Sequence, residues 1–106
     1  MDDLCATGGT LIRAADKCRE AGATAVHIAV THTPLPAGLA AVLASASVTT
    51  VLATDSAGSQ QAYAPASQKK LVVLPIAALF GQAVRRISSG KPVAPLLTRW
   101  PAADVD

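Results

Sequence analysis

The sequence predicts an α/β fold, an incomplete parallel sheet of three strands with about three helices. Three observations carry this expectation. Helical and strand-like segments alternate along the chain, which argues for parallel strands joined by crossovers. The strand-like segments are short apolar runs, and Ala25–Val30 reads as a buried strand. One late segment carries apolar residues at unbroken helical spacing.

The elements follow in order. Between Gly9 and Ala21, Leu11, Ala15 and Cys18 recur at helical spacing while Asp16, Lys17, Arg19 and Glu20 take the other faces; Gly22 is a stop signal. Ala25–Val30 is the first strand, ended by the loop signals Pro34 and Pro36. Leu39, Val42 and Leu43 suggest a short helix after Gly38, and Val48–Ala53 is the second strand. A polar Ser/Gln/Ala-rich stretch, Asp55–Lys70, reads as an exposed loop, and Leu71–Leu74 as the third strand. The last helix spans Ile76–Ile87, with Ile76, Leu79, Phe80, Ala83, Val84 and Ile87 on one face and Gln82, Arg85 and Arg86 on the other. Gly90 and Pro92 end it, and the tail to Asp106 lacks periodicity. A β-α-β unit needs a strand ahead of the first helix, and the sequence signals none.

Composition narrows the function classes. With 106 residues, the chain is one small domain at most. Hydrophobic residues make up 51% and charged residues 15%, which excludes a disordered chain. No apolar run approaches the roughly 18 residues of a membrane span, and no signal-peptide pattern opens the chain, so a cytoplasmic location is expected. A net charge of +2 without a basic, aromatic-interleaved stripe argues against nucleic acid as a partner. Cys5 and Cys18 lack CxxC spacing, so reduced thiols are expected, with no disulfide and no zinc site. Ala supplies 23 residues and the aromatics only three, which predicts a thin core and a surface that lies against something else.

The segment that carries chemistry is Asp2-Asp3-Leu4-Cys5-Ala6-Thr7-Gly8-Gly9-Thr10, running straight into a helix. Glycines and threonines at a helix start leave backbone N–H groups free beside the positive end of the helix dipole, where a phosphate is the natural guest. Glycine allows a guest close to the backbone, and Thr7 and Thr10 add hydroxyls. Ionised carboxylates only accept hydrogen bonds, so Asp2 and Asp3 suit sugar hydroxyls. Together they describe a site for a phosphorylated ribose. The string is neither a Walker A loop nor GxGxxG. The competing reading is structural: Asp3 or Thr7 caps the helix and the glycines make a turn.

DDLCATGGT resembles the ribose-phosphate loop of the type I phosphoribosyltransferase fold, a Rossmann-like parallel-sheet architecture. Beyond the loop the chain resembles ribose-phosphate diphosphokinase, the synthetase of phosphoribosyl pyrophosphate. Ala29-Val30-Thr31-His32 followed by Gly38 is similar to that family's strand ending in Thr-His. Val51-Leu52-Ala53-Thr54-Asp55-Ser56 is similar to its strand ending in Thr-Asp-Ser/Thr, and Leu71–Ile87 to its final strand and helix. The resemblance covers residues 1–97 as one phosphoribosyltransferase-like subdomain lacking its first strand, with residues 98–106 an irregular tail. It corresponds to the last third or so of a family member.

The resemblance implies transfer of diphosphate from ATP to ribose 5-phosphate with magnesium, chemistry made mostly of positioning and charge neutralisation. Asp2 and Asp3 match the acidic pair near the ribose hydroxyls. Ala6, Thr7, Gly8, Gly9 and Thr10 match the loop around the 5-phosphate, with Ala at position 6 where the family often has Asp or Ser. The family's ATP-contacting segments, magnesium ligands and catalytic loop match nothing in this chain, so no catalytic or metal residue is assigned. ATP is a partner only if the missing part is supplied, and the chain alone is expected to be inactive.

The remaining candidates read as follows. His27 sits in an apolar strand and reads as a core or sheet-face histidine. His32 ends a strand, where sites cluster in open α/β sheets, yet with no second ligand nearby its reading is structural. Asp55 is balanced between a cap and a functional role. Arg85-Arg86 read as a solvated face. Two other functions compete: an adenine-type phosphoribosyltransferase, supported by DDLCATGGT alone, and a non-catalytic module for homo-oligomers or assembly with intact subunits, supported by the thin core and an exposed Leu96-Leu97.

Overall fold

The computed structural model describes residues 1–57 and 69–98. Most of the expected Asp55–Lys70 loop and the tail beyond 98 therefore lie outside the described residues. The elements are β1 (Asp2–Leu4), α1 (Gly9–Glu20), β2 (His27–His32), α2 (Pro36–Ala44), β3 (Thr50–Thr54), β4 (Leu71–Leu74), α3 (Ala77–Ser88) and α4 (Pro95–Thr98). The chain forms two compact units, Met1–Pro75 and Ile76–Asp106.

The first unit holds a four-stranded parallel sheet in the order β1-β2-β3-β4. The sequence led to three strands; the fourth is Asp2–Leu4 itself. Asp2 pairs with Val30 and Leu4 with His32. Two aspartates carry no strand propensity, so this strand exists through its ladder to β2 alone. β2 lies two residues beyond the expected run. The Val26 carbonyl lies ahead of the strand and accepts from the amides of Thr49 and Thr50 at the start of β3. Pro36, read as a loop residue, starts α2, where its missing N–H and fixed φ cost nothing. β4 falls where expected.

The core lies between one sheet face and the two helices that cross above it. Ile28 and Val30 of β2 and Val51 and Ala53 of β3 meet Leu39, Val42 and Leu43 of α2 and Ala15 of α1. With Cys5 and Val48 the buried cluster has ten residues, of which only two are Ala, so the expectation of an Ala-rich core is corrected. Val and Leu fill the interior while Ala14, Ala37, Ala40, Ala41 and Ala44 face solvent as helix formers.

α1 also packs differently from its expected face. Leu11, Ile12 and Ala15 turn inward while Cys18 is exposed. Arg19, assigned to the outer face, is half-buried and staples the unit together. Its Nε donates to the Ser47 carbonyl at 3.0 Å. Nη1 donates to the carbonyls of Ala23 at 3.2 Å and Thr24 at 2.5 Å, and Nη2 to Thr49 Oγ1 at 3.1 Å. Asp16 accepts from the Ser47 hydroxyl beside it. The long polar side chains thus close the helix C-terminus over the entry to β3.

In the second unit, α3 is a clean amphipathic helix, but its apolar stripe is not buried as the spacing suggests. Ile76, Leu79 and Ala83 are half-buried, while Phe80, Val84 and Ile87 are 59%, 64% and 69% exposed. Periodicity reports which residues share a face, not what covers it. Arg86 is half-buried rather than solvated, and its Nη1 donates to the Pro92 carbonyl at 2.9 Å. Leu96 is buried and Leu97 exposed, so the pair expected outside is split by the helical turn of α4. Among the described residues no helix is long and apolar enough to cross a membrane.

Candidate functional site

The loop between β1 and α1 is built by three anchors. Cys5 extends the sheet ladder, its N–H donating to the His32 carbonyl at 2.8 Å, and its side chain enters the core. Burial first, and the Asp2 carboxylate second, push the Cys5 thiol above its ordinary value of 9.0. Gly8 then turns the chain with φ +79° and ψ −12° and stands at the N-cap of α1. The third anchor is Gly38, in the first turn of α2. A Cβ at Gly38 would stand 1.8 Å from the Ala6 carbonyl oxygen. A Cβ at Gly8 would stand 2.6 Å from the Gly38 oxygen and 2.7 Å from Val42 Cγ2. The loop backbone therefore lies directly on α2, and both glycines are needed for that contact. The Gly8 Cβ position faces α2 rather than an outside guest, which corrects the expectation that glycine here serves the guest's approach.

The arrangement leaves the loop's donors unused. Ile12 is the first residue of α1 whose N–H finds a backbone acceptor, the Gly8 carbonyl at 3.0 Å. Among the described residues no acceptor meets the N–H groups of Ala6, Thr7, Gly8, Gly9, Thr10 or Leu11. No side chain caps α1, and no acidic residue stands in its first turn. Neither Asp3 nor Thr7 is the cap that the structural reading required. Six consecutive donors at a helix N-terminus form a cradle for an anion.

A cleft of about 120 Å³ opens beside these amides, lined by Asp2, Leu4, Cys5, Ala6, Thr7, Gly8, Thr10 and Leu11. Five of the seven residues singled out in the sequence, Asp2, Ala6, Thr7, Gly8 and Thr10, line it. Asp3 does not. Successive strand residues point to opposite faces, and Asp3 lines a neighbouring hollow of about 320 Å³ with Met1, Asp2 and Thr31. Asp2 borders both, and its Oδ1 accepts from the Asp3 amide at 2.9 Å. Gly9 lies at the helix start, and a Cβ there would meet nothing closer than Arg13 Nη1 at 3.6 Å. The protein's own packing does not require glycine at this position.

One residue at the site escaped the sequence reading. Arg13 folds back along α1, and its Nη2 donates to Thr10 Oγ1 at 3.4 Å. Its signal was a basic residue three positions after Thr10 with no acid in the helix's first turn.

The strand ends beside the loop are cross-linked by polar side chains. His32 Nδ1 lies 2.6 Å from Ser56 Oγ, and Thr54 Oγ1 donates to the Thr31 carbonyl at 2.6 Å. His32 is thereby given a structural partner. His27 is exposed on the sheet and lies outside the core. Asp55 follows β3, its amide donating to the Leu74 carbonyl at 3.3 Å.

No family model matches the chain. It is 34% identical over 99 residues to the ribose-phosphate pyrophosphokinase of Hyphomonas neptunium, covering 93% of this chain and 31% of that protein. It is 36% identical over 97 residues to the corresponding protein of Bordetella pertussis, covering 91% and 30%. The phosphoribosylpyrophosphate synthetase of Mycobacterium smegmatis superposes with a TM-score of 0.70 at 33% identity, over 84% of this chain and 29% of that one. Over nearly all of its length the chain is thus homologous to the C-terminal part of the ribose-phosphate pyrophosphokinases, and it spans about three-tenths of the length of those relatives.

Proposed function

We propose that the chain forms the sugar-phosphate half of a ribose-phosphate diphosphokinase site. The loop Ala6–Thr10 cradles the 5-phosphate of ribose 5-phosphate through its backbone amides, and Asp2, which lines the same cleft, accepts hydrogen bonds from the ribose hydroxyls, while Asp3 faces the neighbouring hollow. Held this way, the sugar presents its C1 hydroxyl to ATP. The C1 oxygen bonds to the β-phosphorus, the bond from that phosphorus to the α-phosphate bridge breaks, AMP leaves, and the hydroxyl proton is released. The contribution of these residues is to fix the acceptor and to neutralise its phosphate. Residues beyond this chain supply the ATP half and the catalytic groups, and the chain alone does not turn over.

The observation that carries the proposal is the run of six amides without a protein acceptor at the start of α1. A buried or half-buried donor left unpaired costs about 1–3 kcal/mol, and an anion at the helix N-terminus satisfies several at once. Among the described residues no group of three or more His, Cys, Asp or Glu side chains could hold a metal ion. No step here runs through a metal ion. An adenine-type phosphoribosyltransferase is not favoured, because the relatives reported above share the segments beyond the loop as well.

Titration of the isotope-labelled chain with ribose 5-phosphate, followed by amide NMR, tests the proposal. The amides of residues 6–11 shift together on ribose 5-phosphate and not on ribose. Shifts scattered elsewhere, or none at millimolar ligand, would refute it.

A further inference from the structure

We propose that Arg13 is the side-chain clamp for the phosphate of the bound sugar phosphate, an inference that rests on the loop assignment above. Helical side chains lean toward the N-terminus, and Arg13 follows this over a full turn. Nη2 reaches Thr10 Oγ1 at 3.4 Å, and Nη1 lies 3.6 Å from where a Gly9 Cβ would stand. The guanidinium thus sits over Thr10 and Gly9 at the head of α1, beside the cleft that Thr10 lines rather than among its lining residues.

Its electrostatic setting is unfavourable without a guest. The N-terminus of α1 carries roughly half a positive charge, and a cation folded over it is repelled. No acid in the first turn offsets this. Glu20 pairs with Lys17, and among the described residues no carboxylate bonds Arg13. Its single hydrogen bond to a hydroxyl is long and leaves four of its five N–H donors for a partner. A phosphomonoester dianion reverses the sign of both terms. It meets the amides on one side and the planar guanidinium fork, suited to two phosphate oxygens, on the other. Asp2 is the carboxylate that lines the same cleft. The cleft is therefore polarised, with Arg13 and the amides at the phosphate end and Asp2 at the hydroxyl end, and this polarity sets the direction in which a sugar phosphate lies. The ligand class it selects is a phosphorylated sugar over its neutral counterpart.

Calorimetric titration of the full chain with ribose 5-phosphate, at low and at high salt, tests this using Arg13→Gln, Arg13→Lys and Gly9→Val. Arg13→Gln keeps helix propensity and length while removing the charge. It weakens ribose 5-phosphate about tenfold, flattens the salt dependence, and leaves the thermal unfolding curve in place. Arg13→Lys recovers part of the affinity and the salt dependence. Gly9→Val fits the fold but sets methyl groups beside Thr7 Oγ1 and Arg13 Nη1 at the head of α1, where the phosphate would lie, and it abolishes binding. Arg13→Gln binding as tightly as wild type, while Gly9→Val does not bind, overturns the Arg13 clamp and leaves the loop assignment standing. Wild type failing to bind at all overturns the loop assignment and the clamp with it. An equal loss of affinity for ribose and ribose 5-phosphate in Arg13→Gln also overturns the clamp, because it would place the guanidinium on the sugar.

Discussion

Gly38→Ala puts one methyl group into the tightest backbone approach made by any of the described glycines. The ideal Cβ would stand 1.8 Å from the Ala6 carbonyl oxygen, 2.7 Å from its carbon and 3.1 Å from the Thr7 carbonyl carbon. All three atoms are backbone, so no side chain can swing aside. For ordinary contact to begin, at 3.4 Å, the Ala6 carbonyl must retreat by about 1.6 Å from its 1.8 Å position. That displacement lifts the loop off α2 and misaligns the amides of residues 6–11. Overpacking of this kind costs roughly 1–3 kcal/mol, and for a domain of this size each kcal/mol lowers Tm by about 4–8 °C. We expect Tm to fall by roughly 4–24 °C and ribose 5-phosphate affinity to fall with it. Gly9→Ala is the matched control, because its Cβ meets nothing closer than 3.6 Å. It holds Tm or raises it slightly. Circular dichroism melts and calorimetry read both quantities. If Gly38→Ala melts and binds like wild type, the loop does not rest on α2 and the account of both glycines fails.

The other predictions concern the staple, the thiols and turnover. Arg19→Ala removes four donated hydrogen bonds and costs about 2–3 kcal/mol in urea unfolding. Arg19→Lys recovers less than half, since an ammonium cannot present the planar fork; full recovery would contradict the staple. At pH 8, one thiol reacts quickly with a disulfide reagent, and Cys18→Ser removes that fast phase while buried Cys5 stays protected. Because Cys5 loses its proton less readily folded than unfolded, the unfolded chain releases that proton first as pH rises past 9.0, so stability falls there. Cys5→Ala flattens that decline, and a decline unchanged in Cys5→Ala would rule out the thiol as its source. The purified chain with ribose 5-phosphate, ATP and magnesium forms no AMP above the reagent blank. A measurable rate would show that the chain holds a complete site.

What the sequence made legible follows from what local signals encode. β4 was readable because Leu71–Leu74 is a bare apolar run with turn residues on both sides. The start of β2 was displaced because Ala25 and Val26 look like strand residues, while its end at His32 was legible from the likeness of Ala29-Val30-Thr31-His32 to a strand ending in Thr-His. β1 was illegible: Asp-Asp-Leu becomes a strand through backbone pairing to Val30 and His32, a tertiary fact. The DDLCATGGT string was legible as a place, since Gly-Gly at a helix start is a local signal. The partners of that string were not. Gly38 lies thirty residues away from Gly8, and its need to be glycine appears only when the Ala6 carbonyl is set against it. Arg13 was missed for a related reason, because its relevance depends on which way a rotamer folds along α1.

The geometry at Gly8 explains why the cradle stays open. A helix usually satisfies its first amides with an N-cap Ser, Thr, Asp or Asn, which contributes about 1 kcal/mol. Here the N-cap position has φ +79°, and its Cβ direction runs into Gly38 and Val42. No residue with a side chain can occupy it without strain, so this route to capping α1 is closed. The close seat of the loop on α2 and the free donors at the head of α1 are therefore one feature. The packing that fixes the loop also keeps a side chain from occupying its amides, and the stability forgone at the cap is recovered only when an external anion binds. It follows that the relief of these donors appears in the ligand's affinity, and a bound anion stabilises the fold by RT ln(1 + L/Kd), where L is the free ligand concentration. The effect should be full in wild type, where the seat is intact, and lost in Gly38→Ala.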